Sequence, residues 1–234
     1  MFQVTEMTIR RDLRELDQKQ LVLRTHGGAM IPPDNVLNEN PYEVRVHSHI
    51  RQKEAIAQLA LSFINNGDKV FFDSSTTVLC LARLLNDNHD FLIVTDTLTT
   101  AIQANSYKNT KVICLGGEVK KSTHSCVSLL AEQAIESMNF TTAFLSAPIV
   151  SLDGTVSLSS ISELSIKKKV MQRASKSILL FDSSKLGQPD FLNFAHISEF
   201  DTIITDEGIS PAFIETCNEA NVKILVTHRE GTTY

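Results

Sequence analysis

Short apolar runs alternate with stretches of helical periodicity over most of the chain. The strand candidates among these runs are KVFFD, FLIVT, KVICL, TAFLSA, SILLFD, DTIIT and KILVT. Most of them are followed by a stretch with helical spacing. Strands that are apolar on consecutive positions and separated by helices are typical of a parallel sheet buried on both faces. The pattern therefore predicts an α/β domain with a mostly parallel sheet.

The longest helical pattern precedes the first of these strands. Over residues 48–66 the apolar residues Ile56, Leu59, Ala60 and Phe63 recur at helical spacing. The glycine that follows, at position 67, is a common helix stop. We expect one long amphipathic helix over this range.

The first thirty residues have a different pattern. Thr5 can cap a helix that runs through about Gln18, and Ile9, Leu13 and Leu16 form an apolar stripe along it. The opposite side carries Met7 and three arginines, which can contact the phosphates or guanine edges of DNA; the arginines are Arg10, Arg11 and Arg14.

A short strand and a turn follow this helix. Leu21 and Leu23 alternate with Val22 and Arg24, and the turn is formed at Gly27-Gly28. This arrangement has the shape of the wing of a winged helix. Residues 31–42 then contain three prolines among polar residues, which is typical of a linker.

These N-terminal residues resemble a known family. TIRRDL at Thr8–Leu13 and RTHGGA at Arg24–Ala29 match the recognition helix and wing of the DeoR-type transcriptional regulators. The family has two further helices ahead of this point, so the resemblance implies an N-terminally truncated regulator. An ordinary basic amphipathic helix is the alternative. The DNA-binding residues that the resemblance implies are Thr5, Met7, Thr8, Arg10, Arg11, Arg14, Arg24, His26, Gly27 and Gly28.

A second resemblance covers the rest of the chain. Residues 43–227 look like the effector-sensing domain of the same family, whose fold is similar to that of ribose-5-phosphate isomerase. The predicted organisation is therefore a partial winged helix-turn-helix over residues 1–30, a linker over 31–42, and a sugar-phosphate-sensing and oligomerisation domain over 43–234.

Polar loops after the predicted strands are candidates for the effector site, because ligands of open parallel sheets bind at the carboxyl ends of strands. Hydroxyls beside a helix N-terminus can cradle a phosphate, although one of them could serve only as a helix cap. Paired glycines admit a ligand or form an ordinary turn. Lys185 could meet a phosphate or a sugar oxygen, or pair with Asp182 and hold its loop. The candidate residues are Asp73, Ser74, Ser75, Thr76, Thr77, Thr95, Asp96, Gly116, Gly117 and Lys185.

Four residues in or near these loops depart from the family pattern. Ser75, Ser128 and Ser146 stand where glycine is common, and Asp96 stands where the family has asparagine. Ser75 would be strained if its φ were positive, and an Asp96 carboxylate would repel a phosphate.

One predicted helix also matches a family element. Glu163, Lys167 and Met171 fit the pattern E-x-x-x-K-x-x-x-M, and the first two are spaced for a helical ion pair. The run Lys167–Lys169 indicates a solvated face rather than a second nucleic-acid site.

Charge and cysteines narrow the picture further. The net charge of −5 gives no general attraction to DNA, and residues 1–30 hold five Lys/Arg against four Asp/Glu, so any DNA contact is local. The cysteines lack metal-ligand spacing, and Cys80 and Cys114 are expected to be buried free thiols. No apolar stretch is long enough to span a bilayer and no signal peptide is evident, so we expect a cytoplasmic protein without metal or cofactor.

The leading hypothesis is a transcriptional regulator, usually a repressor in this family, whose operator affinity changes when a phosphorylated sugar binds. A homo-oligomer is implied because one recognition helix reads one half-site. Two alternatives remain open: an effector domain that does not bind DNA, and a sugar-phosphate isomerase with Asp73, Asp96 or Asp182 as its base.

Overall fold

The computed structural model describes residues 5–18, 23–25, 28–30, 42–87 and 90–227. The helices of these ranges are α1 (Glu6–Gln18), α2 (Tyr42–His47), α3 (Ile50–Leu61), α4 (Thr76–Arg83), α5 (Leu98–Ala104), α6 (Leu129–Glu136), α7 (Ile161–Arg173) and α8 (Pro211–Glu219). The strands are β1 (Leu23–Thr25), β2 (Gly28–Met30), β3 (Lys69–Phe72), β4 (Phe91–Thr95), β5 (Thr110–Cys114), β6 (Glu118–Val119), β7 (Cys126–Val127), β8 (Thr142–Leu145), β9 (Ile149–Val150), β10 (Thr155–Leu158), β11 (Ser177–Leu180), β12 (Leu192–His196), β13 (Thr202–Asp206) and β14 (Lys223–Thr227).

A parallel sheet of seven strands forms the centre of the domain, in the order β14-β13-β11-β8-β3-β4-β5. These seven strands are the seven predicted from the apolar runs, so the α/β prediction is confirmed. The chain starts at β3, proceeds outward through β4 and β5, and then returns to place β8 on the other side of β3. The direction of winding therefore reverses between β3 and β8, which makes this the topological switch point of the sheet.

The two faces of the sheet carry separate apolar clusters. Phe71, Leu145 and Phe181 lie in the cluster covered by α6, α7 and α8. Phe72 and Phe144 lie in the cluster covered by α3, α4 and α5. Alternate residues of β3 thus point into opposite layers, as the period of a strand requires. Because both faces are covered, all four residues of the central strand β8 are buried.

Three smaller sheets accompany the main one. Strands β12, β10 and β9 form an antiparallel sheet, and β6 pairs with β7 in a hairpin. β1 and β2 form the third, an antiparallel pair near the N-terminus. The apolar runs did not predict these short strands. No helix in the described part of the chain is both long and apolar enough to cross a membrane.

The helix predicted over residues 48–66 is confirmed as α3, which is shorter than expected and begins at Ile50. His49, which takes a left-handed backbone conformation with a φ of 50°, separates α3 from the preceding helix α2. α3 then ends at Leu61, before the predicted glycine stop. α2 begins at Tyr42, the last residue of the predicted linker, and residues 31–41 lie outside the described ranges.

The cysteine prediction holds for Cys80 and fails for Cys114. Cys80, Cys114, Cys126 and Cys217 are all free thiols, and Cys80 is buried. Cys114 is exposed, because it lies on β5 at the edge of the sheet rather than between two strands.

Candidate functional site

A cavity of about 670 Å³ opens at the carboxyl ends of β3, β8 and β11. Ser74 follows the first of these strands, Ser146 the second and Asp182 the third, and all three residues line the cavity. Since β3 and β8 flank the switch point, the cavity lies where ligands of open parallel sheets bind. Its volume is within the range of small-molecule sites.

The loop between β3 and α4 forms one wall, and Ser74, Ser75, Thr76 and Thr77 all line the cavity. The Asp73 carboxylate accepts a hydrogen bond of 3.0 Å from the backbone N–H of Ser75. The Ser75 hydroxyl in turn caps α4 by accepting from the N–H of Val78 at 3.1 Å. The first turn of α4 therefore presents its N–H groups toward the cavity.

Ser75 is not strained, contrary to the sequence-based expectation. Its φ is −78°, in the extended region that any residue adopts. The loop does not need a glycine here, because the serine serves as a regular helix cap.

A buried ion pair between Lys167 and Asp73 lies behind this wall of the cavity. The Lys167 ammonium contacts the Asp73 carboxylate and also donates to the Ser146 carbonyl at 2.9 Å. The backbone N–H of Ser146 donates to the same carboxylate at 2.7 Å. Burial lowers the pKa of Lys167, but the nearby carboxyl groups, that of Asp73 foremost, together outweigh burial and raise the pKa above its ordinary value. These contacts tie β3, β8 and α7 together.

The predicted helical ion pair between Glu163 and Lys167 is consequently wrong, as is the solvated face for Lys167. Lys167 is only 6% exposed and is held by Asp73 on another element. Glu163 is also buried, and its carboxylate accepts a bond of 2.6 Å from the ammonium of Lys120. Helical spacing placed the two side chains on one face of α7, but each forms its ion pair with a residue outside this helix.

Four cationic side chains line the cavity: Lys167, which is paired with Asp73, and the three further cations Arg45, Lys53 and Lys185. Lys53 is only 3% exposed, and its ammonium donates to the carbonyl oxygen of Arg45 at 2.5 Å. Burial lowers the pKa of Lys53 to about 8, an effect that the Asp182 carboxylate opposes and that Lys185 and Arg45 reinforce. These cations line one cavity, and the Lys53 ammonium contacts the backbone of Arg45, so their like charges repel one another. An anion bound among them would relieve this repulsion.

Sequence reasoning missed Arg45 and Lys53. Lys53 lies on the buried face of α3 with Ile56, Ala57 and Ala60. A lysine in an otherwise apolar helical stripe was the signal that could have found it. Arg45 lies on α2, in a segment that the pattern did not separate from its surroundings.

The loop after β11 supplies Asp182 and Lys185. The Asp182 carboxylate accepts hydrogen bonds from the hydroxyl and the backbone N–H of Ser184. Lys185 forms no ion pair with it in the described part of the chain, so the alternative in which Lys185 only holds its own loop is not observed. Both residues line the cavity instead.

The other candidate effector residues do not line this cavity. Thr95 and Asp96 are buried at 0% and 3% exposure, and the backbone N–H of Cys126 donates to the carbonyl of Asp96 at 2.6 Å. Gly116 accepts a bond of 2.9 Å from the Ser128 hydroxyl. The β6–β7 hairpin thus covers the carboxyl end of β4, whereas Gly116 and Gly117, after β5, are exposed.

Gly117 packs closely against Ser128 at the start of α6. Its φ is 146°, and a Cβ atom at this position would lie 2.4 Å from the Ser128 hydroxyl. Ser128 itself caps α6 by accepting from the N–H of Ala131 at 3.1 Å. The departure at Ser128 is therefore accommodated as a helix cap.

Asp96 does not act as the expected repulsive carboxylate. Burial raises its pKa to about 8, and the neighbouring Asp73 carboxylate raises it further in the same direction. The side chain is therefore mostly uncharged at neutral pH. Its Oδ1 atom has no hydrogen-bond partner among the described residues.

The N-terminal helix α1 presents a basic face to solvent. The Thr5 hydroxyl accepts a bond of 3.3 Å from the N–H of Thr8, which confirms the predicted cap. The side chains on this face are exposed, and that of Met7 is 81% accessible. The exposed arginines are Arg10, Arg11 and Arg14.

The predicted wing is an antiparallel hairpin, in which Arg24 pairs with Ala29 and Thr25 with Gly28. The backbone of Arg24 is described, but its side chain is not, and His26 and Gly27 lie outside the described residues. Within the apolar stripe of α1, Ile9 is 44% exposed. The apolar stripe of α1 is therefore less buried than the apolar faces of the helices that pack on the main sheet.

Family comparisons agree with both parts of this structure. The DeoR-like helix-turn-helix domain matches residues 1–34, and the DeoR C-terminal sensor domain matches residues 48–207. Among curated relatives, the regulator GlpR of Haloferax volcanii is 33% identical and covers 94% of this chain and 86% of its own. The repressor GlcR of Bacillus subtilis is 30% identical, over 98% and 88%. The lactose phosphotransferase system repressor of Staphylococcus epidermidis is 31% identical, over 88% and 82%.

Solved structures with a similar arrangement include a D-ribose-5-phosphate isomerase in complex with phospho-erythronic acid. It is 18% identical with a TM-score of 0.44, and the match covers 59% of this chain and 54% of that one. The sensor domain alone matches more than half of the chain, and the relatives match nearly its whole length. This protein therefore belongs to the DeoR family of helix-turn-helix transcriptional regulators.

Proposed function

We propose that this protein is a repressor of carbohydrate-metabolism genes that binds operator DNA through α1 and the β1–β2 hairpin. A phosphorylated sugar in the cavity at the β3–β8 switch point changes its affinity for the operator. The observation that carries the proposal is the convergence of Arg45, Lys53 and Lys185 with the N-terminus of α4 on one cavity.

Each part of a sugar phosphate has a chemical counterpart in this cavity. A phosphate dianion suits the three cations and the N–H groups at the start of α4. Sugar hydroxyls can donate to the carboxylates of Asp182 and Asp190, which line the same cavity. A neutral sugar would make use of the carboxylates alone, and a bare phosphate would make use of the cations and N–H groups alone.

The same groups favour a sensor over an isomerase. A general base must be able to approach the substrate and accept its proton. The Asp73 carboxylate already holds the Lys167 ammonium and the N–H of Ser146, and Asp96 is buried outside the cavity lining. Asp182 lines the cavity, but its Oδ1 atom already accepts two hydrogen bonds from Ser184. We therefore propose ligand binding without turnover.

The relatives support the repressor role, since GlcR and the staphylococcal protein are both named as repressors, the latter of a lactose phosphotransferase system. The DNA-binding role is supported by the exposed arginines of α1. One recognition helix reads one half-site, so the active form is a homodimer or a larger even-numbered oligomer.

The test is a fluorescence-anisotropy titration of the protein with DNA from its own promoter region, at fixed salt and with nonspecific competitor. Arg10→Ala with Arg11→Ala removes two charges from α1 and is expected to abolish specific binding. The matched control, Lys111→Ala with Lys121→Ala, removes two exposed charges from the sensor domain and is expected to bind as the wild type does.

A panel of sugar phosphates, with the parent sugars and inorganic phosphate as controls, is then added to the protein–DNA complex. We expect one or more sugar phosphates to change the operator affinity by about 5-fold or more, the range of ordinary allosteric coupling. Equal binding by the arginine variant contradicts the DNA-binding role of α1. A response to the parent sugars alone contradicts the phosphate preference.

A further inference from the structure

Helix α2 connects the two functional parts of the chain. It is the first described element after the β1–β2 hairpin and is reached through residues 31–41. The helix-turn-helix match ends at residue 34 and the sensor match begins at residue 48, so neither includes α2. Among the described elements, α2 is therefore the one that lies nearest along the chain to the DNA-binding segment on the sensor side.

The beginning of α2 is held by an aromatic stack. Tyr42 is 8% exposed, and its ring centroid lies 4.3 Å from that of His124, with 34° between the planes. The backbone of His124 is held by two hydrogen bonds. Its backbone N–H donates to the Lys120 carbonyl at 2.8 Å, and its carbonyl accepts from the backbone N–H of Leu98 at 3.2 Å. The stack thus locates α2 against the turn of the β6–β7 hairpin.

The other end of α2 carries a cation into the cavity. The Arg45 guanidinium donates to the Ser122 carbonyl at 2.7 Å, on the same hairpin turn, and Arg45 also lines the cavity. The carbonyl oxygen of Arg45 accepts the bond from the Lys53 ammonium. The position of α2 therefore determines both where the Arg45 charge lies and whether the buried Lys53 ammonium keeps this acceptor.

We propose that Tyr42 is a positioning residue: by stacking on His124 it docks α2 on the sensor domain, and the docked α2 transmits occupancy of the cavity to the DNA-binding segment. The inference rests on the proposed function, because it assumes that an anion binds beside Arg45 and Lys53. Such an anion contacts α2 and α3 at once and favours one placement of α2. Operator DNA favours its own placement, and linkage makes the two effects reciprocal.

The test compares variants of the complete chain by operator titration with and without D-glucose 6-phosphate, and with inorganic phosphate as a second probe. Tyr42→Ala removes the stack from α2. His124→Gly removes it from the other side and suits the backbone, since His124 has a φ of 55°. Tyr42→Phe keeps the ring. Tyr107→Ala is the matched control, a tyrosine whose hydroxyl donates to the Arg83 carbonyl away from α2.

We expect the wild type, Tyr42→Phe and Tyr107→Ala to show the same ratio of operator dissociation constants with and without the effective probe. In Tyr42→Ala and His124→Gly the ratio falls to about one, while the probe still binds the cavity within about 10-fold of its wild-type affinity. A purely structural role for Tyr42 would not abolish the effect of the probe on operator affinity while preserving binding of the probe. Wild-type coupling in either variant overturns the proposal.

The ligand-free arm distinguishes this proposal from the proposed function. If neither probe affects the wild type, phosphate sensing fails for these ligands, but release of α2 must still change operator affinity. Tyr42→Ala is then expected to differ from Tyr107→Ala by about 5-fold or more without any ligand, whichever direction the change takes. Equal operator affinities of the two variants in that arm overturn the role of α2.

Discussion

The loops at the ends of β3 and β11 and those at the ends of β4 and β5 look alike in the sequence, but they have different surroundings. Ser74 and Lys185, from the first group, line the cavity. Thr95 and Asp96, from the second, are buried beneath the β6–β7 hairpin. Both groups are polar, and both follow strands of one parallel sheet.

Sheet order accounts for this difference. β3 and β11 adjoin β8, where the winding reverses and the connections leave in opposite directions. β4 and β5 lie on one side of the switch point, and the chain that leaves β5 folds back over the end of β4 through the β6–β7 hairpin. A polar loop at the carboxyl end of a strand is therefore open to a ligand only when the neighbouring connections leave it uncovered.

The largest effect that tests this comparison concerns Asp73, which supports the open wall. Asp73→Ala leaves the Lys167 ammonium buried without its counter-charge, which costs about 3–5 kcal/mol of unfolding free energy. Denaturant titration monitored by circular dichroism measures it. Asp90→Ala, at an exposed carboxylate, is the control and should change stability by less than about 0.5 kcal/mol. A similar small loss for Asp73→Ala would show that the wall does not depend on the ion pair.

The next effect concerns ligand affinity. Lys53→Met keeps an unbranched side chain but removes a cation from the cavity, so sugar-phosphate affinity is expected to fall by about 10- to 100-fold, the loss of one charge-assisted hydrogen bond. Because the pKa of Lys53 is lowered to about 8, wild-type affinity is also expected to weaken as the pH rises above that value. Isothermal titration measures both. Lys111→Met, on the edge strand β5, is the control, and equal losses in the two variants would contradict a local role for Lys53.

The third prediction concerns Asp96, whose replacement is expected to raise stability rather than lower it. The carboxyl of Asp96 has an ordinary pKa of 3.8 when unfolded and about 8 when folded, so folding takes up a proton between these values. Its contribution to stability therefore falls as the pH rises from about 4 to about 8. Asp96→Asn lacks this dependence, so its stability relative to the wild type is expected to increase as the pH rises over this range. Parallel stability curves of the two proteins between pH 5 and 8 would contradict the burial of an uncharged carboxyl.

The smallest effect tests whether the open loop needs a glycine. Ser75→Gly is expected to cost only a few tenths of a kcal/mol, and Ser75→Ala about 1 kcal/mol, because the serine hydroxyl caps α4 and the backbone is unstrained. Thermal unfolding of both variants checks this order. A stabilised Ser75→Gly would show strain that the φ of −78° does not indicate.

The fold could be predicted closely because every strand of the main sheet is an apolar run of its own. Phe71 and Phe72 illustrate the reason: consecutive apolar residues are needed when both faces of a sheet are covered. Helix α2 was not predicted, because its six residues are too few to give a clear helical period. The short strands β9, β10 and β12 lacked a comparable apolar signal.

The site could be predicted only in part, because sequence order does not give sheet order. Ser74 to Thr77 and Lys185 were expected at a site and line the cavity. Arg45 and Lys53 were not expected, because they come from helices α2 and α3 rather than from the loops that follow the strands. Lys167 was misassigned since its partner, Asp73, is 94 residues away in the chain.

The most direct measurement is isothermal titration of the sugar-phosphate panel into wild type, Lys53→Met and Asp96→Asn at pH 7. The account predicts that the wild type and Asp96→Asn bind the same sugar phosphate with affinities within about 3-fold, while Lys53→Met binds about 10- to 100-fold more weakly. Full binding by Lys53→Met together with loss in Asp96→Asn would place the ligand at the ends of β4 and β5 and contradict the account.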